Sequence, residues 1–470
     1  MSSSDNGSSL SEPRGEAELY RDASVDRPKE WFDWESLNLA WSEPEPYHVI
    51  TKLGRGHFGE VFSAIDVRKE AALRKKFASA AGSAAGSGPS VSDKVESGRS
   101  AKGKGVDDDD ENESAASTEK AGAGGAETLS LPAEAEAELL TKSTVVIKVL
   151  KPVQLSIIKR EIKFLTNLRR GTNIIKLLDL VENPLTAQKS LIFEYVDTPD
   201  FKKMYAGFSD HEVRFYMYQL LLALDYTHSK GVIHRDIKPH NVLIDPVRKT
   251  LRLIDWGLAA FYNPGQRFRK FPGTRVFKAP EMLMQYSRYD YAVDMWSFGA
   301  MMAGIVFKKH PVFKGRKENI NVLVAIVKLM GSDGLFDFVD KYGVRLRDEW
   351  DEKLEGYEGS TWDSLVTRKN KSLAVADAID LLSGILVYDH EHRLNCEDHA
   401  RLAGTVAHRR GIPPEGTNSG SSDEDFMAIS DGGAHNSVPA GATPLTGTSR
   451  NGSDLSSSSD AQLGSSRSPA

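Results

Sequence analysis

Asp236 and Asn241 stand five positions apart in the run His234-Arg235-Asp236-Ile237-Lys238-Pro239-His240-Asn241. A carboxylate at the first of these positions can orient an attacking hydroxyl or take its proton. An amide oxygen at the second can ligate a hard divalent cation such as Mg2+. Lys238, between them, can neutralise charge on a moving anionic group. A second acid, Asp255 in Asp255-Trp256-Gly257, follows Asp236 by nineteen residues and comes directly after the strand-like stretch 251–254. That spacing suits a short hairpin, which would return Asp255 to the same cation as a second protein ligand. These parts suit transfer of a phosphoryl group, whose loose transition state asks mainly for positioning and charge neutralisation.

Upstream lie groups that could hold a nucleotide. Leu53 leads into Gly54-Arg55-Gly56-His57-Phe58-Gly59-Glu60-Val61, where glycines let the backbone approach phosphates closely. A strand-like run follows this stretch rather than a helix, which argues against a dinucleotide-binding unit. Lys148 ends the apolar run Val145-Val146-Ile147-Lys148 and could grip the α- and β-phosphates, steered by Glu161. Val146, Phe193, Glu194, Val196, Leu243 and Ile254 complete the expected ATP-binding set. Each piece has a plainer reading alone: a turn glycine, a solvated lysine, a surface carboxylate. Their order does not. Gly-rich loop, strand lysine, helix glutamate, Asp…Asn loop, Asp-x-Gly and Ala279-Pro280-Glu281 occur in one pass, in the sequence described for protein kinases. Glu281 is expected to pair with Arg393. Asp294, in an otherwise apolar helix, must be hydrogen-bonded if buried, and catalytic-loop amides are the natural donors.

The elements that must position these groups fall into two compositional halves. Residues 47–66 and 142–198 read as Val/Ile/Leu-rich strands with one helix at 154–169. Residues 210–402 read mainly as helices, and Val213, Met217, Leu220, Leu221 and Leu224 share one face of a helix at 210–228. The expected fold is α+β: a two-lobed protein kinase fold, with a small antiparallel-sheet lobe carrying one main helix and a larger helical lobe. The kinase domain is expected over 47–406, after an N-terminal extension (1–46) whose first 18 residues are Ser-rich and polar. An Ala/Gly/Ser-rich insertion at 78–130 and a Ser/Gly-rich tail at 407–470 carry too little apolar area to offset the entropy of ordering.

The chain of 470 residues has a net charge of −6, which argues against nucleic-acid binding. Its one cysteine, Cys396, excludes an internal disulfide and a cysteine metal cluster. The apolar stretch 292–307 is interrupted by Asp294 and is too short to span a bilayer, so no membrane partner is expected. A cytoplasmic and/or nuclear location is expected.

Over about residues 20–400, outside the insertion, the chain resembles the catalytic α subunit of casein kinase II. The resemblance is carried by Tyr20-Arg21-Asp22, Arg27-Pro28-Lys29-Glu30, Lys52-Leu53-Gly54-Arg55-Gly56, Val149-Leu150-Lys151-Pro152-Val153 and Lys159-Arg160-Glu161-Ile162-Lys163. Arg214-Phe215-Tyr216-Met217-Tyr218, Lys238-Pro239-His240-Asn241, Leu253-Ile254-Asp255-Trp256-Gly257-Leu258-Ala259 and Phe261-Tyr262 extend it. It implies a Ser/Thr kinase that uses Mg-ATP, with GTP as a second nucleotide, and acts on acidic sites. It also implies constitutive activity, because residues 20–46 brace the activation segment, and a regulatory β subunit as a partner. Thr274 falls where a substrate-positioning hydroxyl is expected, and the indole N–H of Trp256 can bond a backbone carbonyl as Phe could not. The cations that would read acidic substrates are Lys159, Arg160, Lys163, Arg235, Arg275 and Lys278. Departures from the family occur at Gln154-Leu155-Ser156-Ile157-Ile158, where the family has a lysine run, at Phe271 instead of a basic residue, and at Gly59 instead of serine. Acidic specificity is therefore expected in a reshaped form. The alternatives are another acid-directed Ser/Thr kinase of the cell-division-cycle type, or a non-catalytic scaffold on the same fold.

Overall fold

Val, Ile and Leu runs in the N-terminal half form a single antiparallel sheet. Its strands are β1 (Tyr47–Arg55), β2 (Gly59–Asp66), β3 (Thr144–Leu150), β4 (Leu177–Glu182) and β5 (Lys189–Glu194), in the spatial order β1-β2-β3-β5-β4. The computed structural model describes residues 19–56, 59–85 and 132–396. Strand alternation splits the side chains between two faces. Tyr47, Ala64, Val145, Ile147, Val181 and Ile192 form one small core. Leu150, Leu180, Leu191 and Phe193 join the main core on the other side.

Two helices flank the insertion: α1 (Val67–Ala85) runs on from β2, and α2 (Ala133–Ser143) leads into β3. Arg74 of α1 ties them, bonding Glu136 of α2 at 3.1 Å and Glu70 at 3.0 Å. The insertion expected to be unstructured from residue 78 thus starts as helix through Ala85, and residues 86–131 lie outside the described residues. Alanine has the highest intrinsic helix propensity, so the same composition that reads as low complexity also supports a helix.

Helix α3 (Leu155–Asn167) buries Ile158, Ile162, Phe164 and Leu165, and with them Glu161. The large lobe begins with α4 (Asp210–Ser229). A capping box starts α4: Ser209 Oγ accepts the Glu212 N–H, and the Glu212 carboxylate accepts the Ser209 N–H at 2.8 Å. Val213, Met217, Leu220, Leu221 and Leu224 are all buried, as their spacing predicts. Behind them lies α5 (Ala292–Val306), buried along its whole length. No helix among the described residues is long and apolar enough to cross a membrane. Glu281 and Arg393 form the expected buried ion pair at 2.8 Å, with Arg393 also donating to the Ala292 and Val387 carbonyls. The hairpin of β7 (Val242–Asp245) and β8 (Thr250–Leu253) fills the interval between Asp236 and Asp255. A short pair, β6 (Val232–Ile233) with β9 (Ala260–Phe261), brackets the catalytic loop.

Candidate active site

Asp294 sets the catalytic loop from beneath. It is fully buried on α5, and its Oδ2 and Oδ1 accept the backbone N–H groups of His234 and Arg235, each at 2.7 Å. His228 Nε2 lies 3.1 Å from Oδ2. Burial alone would raise the pKa of this carboxyl. The hydrogen bond and charge of His228, with the contribution of His234, outweigh burial and hold it below the ordinary value. His234 in turn sits 3.0 Å from the Ile254 carbonyl through Nε2, and its Nδ1 accepts the Asp236 N–H at 3.2 Å. These two bonds place the imidazole proton on Nε2.

Asp236 is the focus of the site. Its Oδ1 accepts both the N–H and the Oγ1–H of Thr274, each at 2.9 Å. Its Oδ2 lies 2.5 Å from Lys238 Nζ and 3.1 Å from Asn241 Nδ2. A second Asn241 Nδ2 bond, 2.9 Å long, reaches the Asp236 carbonyl. One carboxylate is therefore fixed by a hydroxyl, an ammonium and an amide, as a group that orients an alcohol should be.

Strand β3 carries Lys148, whose Nζ is 2.6 Å from Glu161 on α3 and 3.8 Å from Asp255 Oδ1. Burial would lower the Lys148 pKa; the two carboxylates outweigh it and hold it above the usual lysine value. Asp255 adopts φ 68°, a left-handed conformation uncommon for a residue with a side chain and often found at functional sites. Its Oδ1 is buried without a hydrogen-bond partner among the described residues. Both bonds of the Asn241 amide use its nitrogen, which leaves its oxygen for another ligand. A buried, unbonded carboxylate oxygen and a free amide oxygen fit the ligand set of Mg2+, so Asp255 and Asn241 are the residues that would hold it. The ion would neutralise phosphate charge in the transition state.

The other residues expected to hold the nucleotide lie on the strands of the sheet, the turn between β1 and β2, and the β7–β8 hairpin. Val61 pairs with Lys148 across β2–β3, and Val146 with Phe193 across β3–β5. The Ile254 N–H donates to the Asn241 carbonyl at 2.9 Å, and Leu243 pairs with Arg252 in the hairpin. Leu53 is half exposed on β1, and Val196 packs at the edge of the main core. The Gly56 N–H donates to the Gly59 carbonyl at 2.8 Å, closing the turn at the tip of β1–β2. Gly54 and Arg55 belong to β1, where Arg55 pairs with Glu60. The Glu60 carboxylate meets Lys52 at 2.7 Å. A Cβ on Gly59 would stand 2.0 Å from the Val149 carbonyl oxygen, so glycine is required there by strand packing. His57 and Phe58 lie outside the described residues. The Glu194 carboxylate bonds Arg252 at 2.9 Å and the Lys176 N–H at 2.9 Å, so its side chain links β5 to β8.

The six cations expected to read acidic substrates do not form one patch. Lys159 donates to the Glu35 carbonyl at 2.8 Å, and Arg160 donates to the Ala259 carbonyl with its guanidinium 5.7 Å from the Trp34 ring. Lys163 is buried on the same helix. These three therefore lie on the helix that meets the N-terminal segment. Arg235 is buried, donating to the Leu258 and Ala259 carbonyls and to Tyr289 Oη, which fastens the chain after Asp255 and removes it from the open surface. Lys278 Nζ is tied to the Phe271 carbonyl at 2.6 Å. Arg275 opens onto a cavity that it shares with Lys317 and Arg347. Those two residues lie more than forty positions downstream and carry no local motif.

The N-terminal segment packs against α3, α4 and β9. Phe32 meets Phe261 of β9 edge to face at 5.0 Å. Asn167 of α3 donates to the Trp31 carbonyl at 2.9 Å, and Tyr20 bonds Asp225 of α4. One expectation fails: Trp256 Nε1 is buried and bonds no carbonyl among the described residues. The ring is held by packing instead, 4.8 Å from His234 at 74°.

Residues 133–402, more than half of the chain, match the family model for the protein kinase domain. The chain belongs to the protein kinase family, whose members transfer phosphate from ATP with Mg2+. Strands β1 and β2 lie before the matched stretch, separated from β3 by the insertion, yet pair with it in the same sheet.

Proposed function

We propose that the protein is a serine/threonine kinase of the casein kinase II α type, moving the γ-phosphate of Mg-ATP to Ser or Thr in acidic surroundings. The observation that carries this reading is the convergence on Asp236 of Thr274, Lys238 and Asn241. An alcohol entering there meets a fixed acceptor carboxylate, and Lys238 stands beside it to balance charge on the phosphoryl group. Activity without activation-segment phosphorylation is supported by the contacts that Trp31, Phe32, Trp34 and Glu35 make with α3 and β9. GTP serves as a second nucleotide in this reading. A regulatory β subunit docks on the outer small-lobe sheet, where Val49 is 59% exposed while Ile147 belongs to the core. The protein works in the cytoplasm and/or nucleus. A positional peptide screen with unphosphorylated recombinant protein, run with ATP and with GTP, tests the proposal. Preference for Asp or Glu near Ser is the expected result; preference for basic or proline-flanked sites refutes the specificity.

A further inference from the structure

Helix α3 begins with apolar side chains in water. Val153 is 36% exposed, Leu155 44% and Ile157 42%, three such residues within five positions. A large aliphatic side chain alone at a surface needs no explanation, but a group of them marks an interaction site. The same helix buries Ile158, Ile162, Phe164 and Leu165, so the exposed set is additional to the face that packs on the core. The family that the chain resembles has a lysine run here, and lysines belong in water. This chain keeps the exposure and changes the chemistry.

Two cations bracket the patch. Lys151 reaches the Gly56 carbonyl, 3.4 Å away, and Lys159 donates to the Glu35 carbonyl at 2.8 Å. Bonds to neutral carbonyls leave both ammonium charges uncancelled. The first turn of α3 holds no acidic residue, and no side chain caps it. The amide end of a helix favours a negative neighbour. A fitting occupant therefore joins an apolar run to acidic residues.

One segment after residue 396 has that composition. Asp423-Glu424-Asp425 is followed directly by Phe426-Met427-Ala428-Ile429. Phe426 is the only aromatic residue after residue 396, and these four make the only run of four apolar residues there. The segment lies outside the described residues. Neither residues 1–18 nor residues 86–131 contain an aromatic, and the acidic run at 107–111 continues into Asn112 and Glu113 rather than into apolar residues. Twenty-seven positions separate Cys396 from Asp423, which at about 3.3 Å each can span up to about 90 Å. A folded unit of this size has a radius of gyration of about 20 Å, so α3 is within reach.

We infer that residues 423–429 dock on the start of α3 of the same chain. Phe426, Met427 and Ile429 cover Val153, Leu155 and Ile157, and the three acids face Lys151 and Lys159. Covering the patch steadies the helix that carries Glu161, whose carboxylate lies 2.6 Å from Lys148 Nζ. The tail is then an activator built into the chain. The docking is independent of the kinase reading; the activating consequence rests on it.

Full-length protein with p-benzoylphenylalanine in place of Phe426, irradiated and then digested, shows what the tail touches. The cross-link should join residue 426 to the stretch 151–160, and the product should run as a monomer on a denaturing gel. A link elsewhere in the chain, a link between two copies, or no link overturns the docking. Steady-state kinetics on full-length protein test the consequence. Phe426→Ser and Leu155→Ser should each lower kcat/KM roughly fivefold, and the double variant should fall no further, because both remove one contact. Thermal melts check that all three fold. Losses that multiply in the double variant, or no loss in either single one, refute the activating role. A link in the expected place without turnover on any peptide supports the docking and refutes the kinase reading. Turnover without the link refutes the docking alone.

Discussion

Replacing Asp294 with Asn would change one atom and put the catalytic loop at risk. The carboxylate accepts on both oxygens, from the His234 N–H and His228 on one side and from the Arg235 N–H on the other. An amide offers one oxygen and one donor. Whichever way it turns, its NH2 faces a backbone N–H in a fully buried site. The better orientation keeps the His234 side and leaves the Arg235 N–H unsatisfied, losing a charge-assisted bond as well. Each such loss is worth about 1–3 kcal/mol, and broken buried charge networks cost about 3–5 kcal/mol, so a destabilisation of about 3 kcal/mol is expected. Against a typical domain stability of about 5–15 kcal/mol the variant should fold, with a lower denaturation midpoint and an unchanged slope. Because the Arg235 amide precedes Asp236, kcat should also fall, by roughly tenfold or more. Acid titration adds a sign. The folded-state pKa of Asp294 lies below the ordinary 3.8, so its contribution is present above that value and is lost as pH falls through the lower folded pKa. The gap between wild type and variant should narrow in acid, as pH falls through the lower folded pKa. Equal midpoints, within about 0.5 kcal/mol, together with an unchanged kcat would refute this account of the loop.

Three further outcomes are expected. Glu161→Gln should lower kcat/KM for ATP roughly a hundredfold, because Lys148 loses the carboxylate 2.6 Å away that steers it; steady-state kinetics read this directly. Trp256→Phe should keep activity within about threefold and cost no more than about 1 kcal/mol by denaturation, since the indole N–H makes no bond among the described residues. Phe32→Ala should cost about 2 kcal/mol, from lost burial and the ring contact with Phe261, and should lower the activity of unphosphorylated protein more than Trp256→Phe does.

The parts of the site that the sequence made legible are those fixed by local spacing. The five-residue interval from Asp236 to Asn241 and the hairpin before Asp255 each specify a short chain path, and the structure closes both around Asp236 and Lys148. The α4 face and the Glu281–Arg393 pair were legible because a periodic apolar stripe has one place to go and a buried charge needs a partner. The substrate cations were not. Whether Arg235 or Lys278 is free depends on which carbonyl lies within reach, and those carbonyls belong to Leu258, Ala259 and Phe271 on a folded segment. Lys317 and Arg347 gain meaning only from standing beside Arg275. Trp256 was misjudged because an available donor is not a bonded one. The ends of α1 and the start of α2 were hidden by an alanine-rich composition that suits helix and disorder alike.

The central claim is that Asp236 receives a substrate hydroxyl while Asn241 and Asp255 hold a divalent cation. The most direct test is transfer of labelled γ-phosphate from ATP to an acidic Ser peptide by unphosphorylated full-length protein. The same assay is run with Asp236→Ala and with wild type in excess EDTA. Label should appear on the serine with wild type and Mg2+, fall by at least roughly a thousandfold in the variant, and vanish with the chelator. Equal transfer by wild type and Asp236→Ala, or no transfer by wild type to any Ser or Thr peptide, would contradict it.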